Sequence, residues 1–169
     1  MEKVFMEKEL ETVLNNFITK YFDEDISTKS FISNIDEINK KIKTAVNGLS
    51  STSQLLSCYQ AKTDLMNKDI ERIIGIKDYG SFKKSDTFNK KTLCLLSICF
   101  HLNELEVNEL LLSASIKLDP IHSIYDCVYV FYIKNYNVVK DPELNIAEFQ
   151  RCLVHAENYL SEKILQRGA

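Results

Sequence analysis

Between residues 62 and 91 the chain gathers the side chains best suited to chemistry with phosphate. Lys68, Arg72, Lys77, Lys83, Lys84, Lys90 and Lys91 supply cations, and Asn67 adds an amide that both donates and accepts. Eight Lys and Arg stand in that segment against five Asp and Glu (Asp64, Asp69, Glu71, Asp78, Asp86), a local balance of +3 in a chain whose net charge is −3. Everything else therefore sums to −6. Cations carried on one short helix, a loop and the start of the next helix can form a phosphate-contacting surface. Asn67, Lys68 and Arg72 are also of the types that hydrogen-bond base edges. Two acids among them, Asp69 and Glu71, oppose that use, and a solvated basic loop is the alternative reading.

Other chemistry is poorly served. His101, His122 and His155 have no nearby Ser or Cys in a nucleophile context. The five cysteines, at 58, 94, 99, 127 and 152, are odd in number and form no CxxC pair. Cys94 and Cys99 lie five apart, off the spacing that puts two ligands on one helix face. No Gly-rich phosphate loop or defensible carboxylate pair occurs. The expectation is a non-enzymatic protein with no cofactor and no metal, its cysteines buried as small hydrophobes in a reducing cytoplasm. Tyr125, Tyr129, Tyr132, Tyr136 and Tyr159 keep helical spacing, which predicts core packing rather than a base-stacking platform.

The elements that must position these groups are helices. Only four Gly and two Pro interrupt 169 residues, of which 45% are apolar and 27% charged, the balance of an ordinary globule. No run approaches the roughly 20 apolar residues of a membrane span. The start, Met1-Glu2-Lys3-Val4, also lacks the basic-then-apolar form of a signal peptide. Leu10, Val13, Leu14, Phe17, Ile18, Tyr21 and Phe22 recur at helical steps, predicting a first helix that ends near Asp23-Glu24-Asp25. Phe31, Ile35, Ile38, Ile42 and Ala45 predict a second, stopped by Gly48, and the two would form an N-terminal hairpin over 1–48. Its role, core packing or dimerisation arm, stays open.

Ser50 to Ser53 reads as a linker to a third helix carrying Leu55, Leu56 and Tyr59. Asp64 or Asn67 then caps a short fourth with Ile70, Ile73 and Ile74. Residues 75–89, bracketed at first by Gly75 and Gly80, read as a long exposed loop. Asn89 caps a helix to about His101, Glu104 or Glu106 opens one to Ser115, and another runs from about Ile121 to Asn135. The run Cys127 to Ile133 would also suit a buried strand. Pro142 and Asn145 introduce a last helix with Ile146, Phe149, Leu153, Ala156, Leu160 and Ile164 on one stripe. The whole predicts an all-α, multi-helix bundle: a core over 53–135 and a C-terminal helix over 142–166 packed as one unit with it.

Several of these pieces, in this order, resemble a branch of the phage-repressor-like helix-turn-helix proteins, the Cro and repressor class. Lys90-Lys91-Thr92 resembles its helix-opening Lys-x-Thr, and Leu102-Asn103-Glu104-Leu105-Glu106-Val107 its Leu-Asn-Leu-acid-Glu-Thr turn. Leu110-Leu111 with Ala114 resembles the following helix, and Tyr125-Asp126 its aromatic-Asp pair. Lys77-Asp78-Tyr79 sits where that branch often has such a tripeptide. The likeness covers residues 62–135. It departs at Ser115, where the family has Gly, and at Val107, where it has Thr. The resemblance implies a divergent helix-turn-helix core and a transcriptional regulator acting on duplex DNA. It also implies a homodimer, because short recognition helices need two half-sites, and places the recognition helix at Asn67 to Ile74. The alternative is a protein-binding helical module, such as an inhibitor, an antitoxin-like partner or an adaptor, that has kept the fold and lost DNA.

Overall fold

The computed structural model describes residues 7–22, 51–136 and 140–167. Among them are eight helices and no strand: α1 Glu7–Tyr21, α2 Thr52–Ala61, α3 Asn67–Ile74, α4 Tyr79–Lys83, α5 Lys90–Cys99, α6 Glu104–Ser113, α7 Ile124–Asn135 and α8 Pro142–Arg167. The expected second helix, and with it the N-terminal hairpin, falls outside the described residues. Contacts divide the chain into two compact units, Met1–Ile26 with Leu118–Ala169, and Ser27–Lys117. That line crosses the stretch 53–135 expected to be a single core. The physical reason lies in α7, whose apolar surface is matched by α1 and α8.

The unit of α1, α7 and α8 is held by aromatic packing. α7 is apolar almost all round, with Cys127, Val128, Tyr129, Phe131, Tyr132 and the following Tyr136 all buried, as a helix covered on more than one side must be. It is a helix, not a strand. Phe149 of α8 meets Tyr125, Tyr129 and Tyr132 edge-on at centroid distances of 5.6, 6.0 and 5.5 Å, and Phe17 of α1 meets Phe131 at 5.5 Å. α1 and α8 run side by side in one direction. Asn15 pairs with His155 at 2.8 Å, Thr19 with Tyr159 at 3.1 Å, and Lys163 donates to Thr19 at 3.3 Å. Where α8 begins, buried Tyr132 donates to the backbone and side-chain oxygens of buried Asn145. Tyr136 donates to Glu148 (3.0 Å), which also binds Arg151 (2.8 Å). Burial, then that bond to Glu148, pushes the Tyr136 hydroxyl up to about 12.

The other unit is built from short helices whose ends are specified by side chains. Ser51 accepts from the Gln54 amide while Gln54 accepts from that of Ser51, so the expected linker is the start of α2. Asn103 and Glu106 make the same reciprocal pair at α6, and Asn89 caps α5 through Thr92. Ile70 and Ile74 bury one face of α3 against α5, each worth about 1.5–3 kcal/mol relative to exposure. Three of these helices finish in the same left-handed turn. Ile76, Leu102 and Ile116 donate back to Glu71, Ser97 and Leu111, five residues earlier, with Gly75, His101 and Ser115 at φ of 78°, 55° and 56°. Ser115 therefore occupies a position where glycine is the easier residue. Val107 is buried in the core.

Cys94, Cys99, Cys127 and Cys152 are buried, and Cys58 is exposed. Desolvation pushes Cys99, Cys127 and Cys152 up to about 12, so all three stay thiols.

Candidate nucleic-acid interface

Residues 75–89 are not one exposed loop. A five-residue helix, α4, forms inside them and anchors itself with Tyr79, which is completely buried. Asp78 caps it, accepting from the Ser81 amide at 3.0 Å and the Ser81 hydroxyl at 2.8 Å. Those bonds, with Lys84 nearby, hold the Asp78 carboxyl below its usual range. Phe82 lies between Tyr79 and Phe88, at 6.5 and 5.4 Å. Residues 84–89 remain outside helix. The signal was present in Asp78 as a cap and in the one-turn spacing of Tyr79 and Phe82. Two bracketing glycines obscured it.

α3 and α4 are thus joined by only four residues, Gly75, Ile76, Lys77 and Asp78. Helical geometry gives α3 three functional faces. Ile70 and Ile74 face the core, Lys68 and Arg72 lie opposite them and are exposed, and Asn67 and Glu71 form the flank beside α4. Asn67 accepts from Gln60 Nε2 at 2.9 Å, and its Nδ2 lies 3.8 Å from where a side chain on Gly80 would begin.

The two acids of α3 serve the backbone. Asp69 Oδ2 accepts from the Met66 amide at 2.9 Å, and its Oδ1 lies 3.9 Å from Arg72. Glu71 Oε2 accepts from the Tyr79 amide at 3.0 Å. Both are caps in this fold: Asp69 acts locally, three residues from its amide, whereas the role of Glu71 is invisible from the sequence because Tyr79 is eight residues away.

The cations are distributed unevenly. Lys68, Arg72, Lys77, Lys84 and Lys91 are exposed. Lys83 leans back onto the fold, its Nζ 3.4 Å from the Ser57 hydroxyl and 5.4 Å from the Tyr79 ring centroid. Lys90 donates to the Lys117 carbonyl at 3.5 Å. Lys90 and Lys91 open α5, at the positive end of a helix dipole where acids are the stabilising choice. The unit Ser27–Lys117 carries thirteen Lys and Arg against ten Asp and Glu, +3, and the other unit eight against fourteen, −6.

Tyr129, Tyr132 and Tyr136 are fully buried, and Tyr125 and Tyr159 partly so, leaving the first three unable to stack on bases. Among the described residues no group of three His, Cys, Asp or Glu could hold a metal ion. None of their helices is long and apolar enough to cross a membrane. No protein-family model, curated protein or solved structure matches the chain.

Proposed function

We propose that the unit Ser27–Lys117 binds duplex DNA as a divergent helix-turn-helix and that the protein acts as a transcriptional regulator. The observation that carries this reading is the pair α3 and α4, two short helices joined by four residues that include a left-handed Gly75. A three- or four-residue turn, often with Gly, is the hallmark of that motif, whose second helix enters the major groove while the first crosses the backbone. On this reading α4, not α3, faces the bases, with Ser81 exposed on it and Lys84 exposed just past its last turn. Lys68, Arg72, Lys77 and Lys91 contact phosphates, with Asn67 at the seam between the helices. Lys83 and Lys90 act mainly through the local potential, since their ammonium groups are directed at Ser57 and Lys117.

A helix of five residues touches few base pairs, so two copies on two half-sites are required for useful affinity. The test is fluorescence anisotropy with a duplex of about 20 base pairs over a range of salt. Binding should weaken steeply with salt, and Lys84→Glu with Lys68→Glu should reduce both affinity and salt slope. A flat titration at low salt would reject the reading.

A further inference from the structure

We infer that Glu71 is a positioning residue for the proposed DNA-facing helix, fixing the pose of α4 on α3. The inference rests on the helix-turn-helix reading. Glu71 is the acceptor at the centre of the turn. Its backbone carbonyl takes the amides of Gly75 (2.9 Å) and Ile76 (3.2 Å), which ends α3 and sets the left-handed bend. Its carboxylate takes the Tyr79 amide (3.0 Å), the first amide of α4. One residue thus receives two amides from the segment that joins the helices and the first amide of α4 itself.

α4 is five residues long, too short to hold itself by its own hydrogen bonds. Buried Tyr79, Phe82 against Phe88 and Lys83 at Ser57 attach its side chains, but none of them fixes the backbone at its first turn. The bond to the Tyr79 amide restrains the helix start, on the flank of α3 that also carries Asn67. A negative charge near a phosphate surface is unfavourable, so the acid at 71 has a use that offsets this cost. An acceptor is what the turn needs; the charge is incidental.

That distinction makes the role testable. Glu71→Gln keeps an acceptor of the same reach and removes the charge, whereas Glu71→Ala removes both and Glu71→Asp keeps the charge but shortens the reach. The probe is the same duplex at one fixed salt concentration, with affinities corrected for the folded fraction from thermal unfolding. Glu71→Gln should bind as tightly as wild type or several-fold more tightly. Glu71→Ala and Glu71→Asp should bind about ten-fold more weakly, with faster hydrogen exchange at the Tyr79 amide. If Glu71→Ala does not fold, Glu71→Asp carries the comparison.

Tighter binding by both Gln and Ala variants would mean that only charge matters, and would overturn the positioning role while leaving the DNA reading intact. Equal affinity in all variants that fold would do the same. Absence of binding by wild type would reject the DNA reading itself, and this inference with it.

Discussion

The two units solve the problem of helix stability in opposite ways. α1, α7 and α8 are 15, 12 and 26 residues long and lean on a shared core of tyrosines and phenylalanines. In the unit Ser27–Lys117 the described helices have five to ten residues, lengths at which an isolated helix is unstable in water. They combine a buried core, with Leu56, Ile70, Tyr79, Leu93, Leu96 and Leu110 in it, with side-chain caps and left-handed turns at their ends. On α3 the face opposite that core leaves Lys68 and Arg72 exposed. The contrast accompanies the division of charge, +3 against −6.

The contrast can be broken most severely in the aromatic core. Phe149→Ala should destabilise by about 3–5 kcal/mol, since it empties a site touched by three tyrosines. Urea unfolding measures this, and a loss below about 1 kcal/mol would show that the cluster does not hold the unit. A paired test on tyrosine hydroxyls comes next. Tyr132→Phe removes the donor to buried Asn145 and should cost about 1–3 kcal/mol. The Tyr79 hydroxyl is buried with no partner among the described residues, so Tyr79→Phe should be neutral or stabilising by up to about 1 kcal/mol. Equal costs at both positions would contradict this difference between the cores.

The left-handed turns offer a finer test with opposite signs. Ser115→Gly should stabilise by about 0.5–1 kcal/mol, because glycine removes the strain of a left-handed backbone at the cost of some unfolded-state freedom. Gly75→Ala should destabilise by about 1 kcal/mol. An added Cβ there meets nothing within 4 Å, so the loss would be purely conformational. Melting temperatures that move in the same direction for both would refute the shared motif.

The smallest effect is pH-dependent. The Asp78 carboxyl titrates below its ordinary value through its bonds to the Ser81 amide and hydroxyl. A group with a depressed folded value stabilises the fold above its unfolded value, and that stabilisation disappears as pH falls through the folded one. α4 should therefore loosen on acidification below the usual carboxylate range. Hydrogen exchange at the Ser81 amide follows it, and Asp78→Asn should flatten the profile. An unchanged profile in that variant would assign the acid loosening to another group.

Legibility in the sequence followed the range of the interaction. Ser51 with Gln54 and Asn103 with Glu106 are three residues apart, so cap and amide fall within one glance; the acids at 104 and 106 mark the second helix start, whereas Ser50 to Ser53 reads as a linker. The apolar steps picked out Leu10, Leu14 and Ile18 of α1 and Ile146, Phe149 and Ala156 of α8 as buried, though Val13 on the same expected stripe is exposed, and Tyr129, Tyr132 and Tyr136 are where helical spacing put them. α4 was missed because its single buried turn is too short for periodicity to register. The exposed loop expected over 75–89 was wrong for the same reason. The basic cluster was legible as composition, but not the inward lean of Lys83 and Lys90.

What the sequence alone determined is the helical class, the boundaries of the longer helices and most of the core, because these depend on contacts three or four residues away and on which residues shun water. Only the tertiary structure decided that α7 belongs with α1 and α8, that Glu71 holds the start of α4, and that Lys83 turns inward. Each depends on groups that chain folding, not spacing, brings together. A backbone amide eight residues downstream leaves no trace in the pattern of side chains.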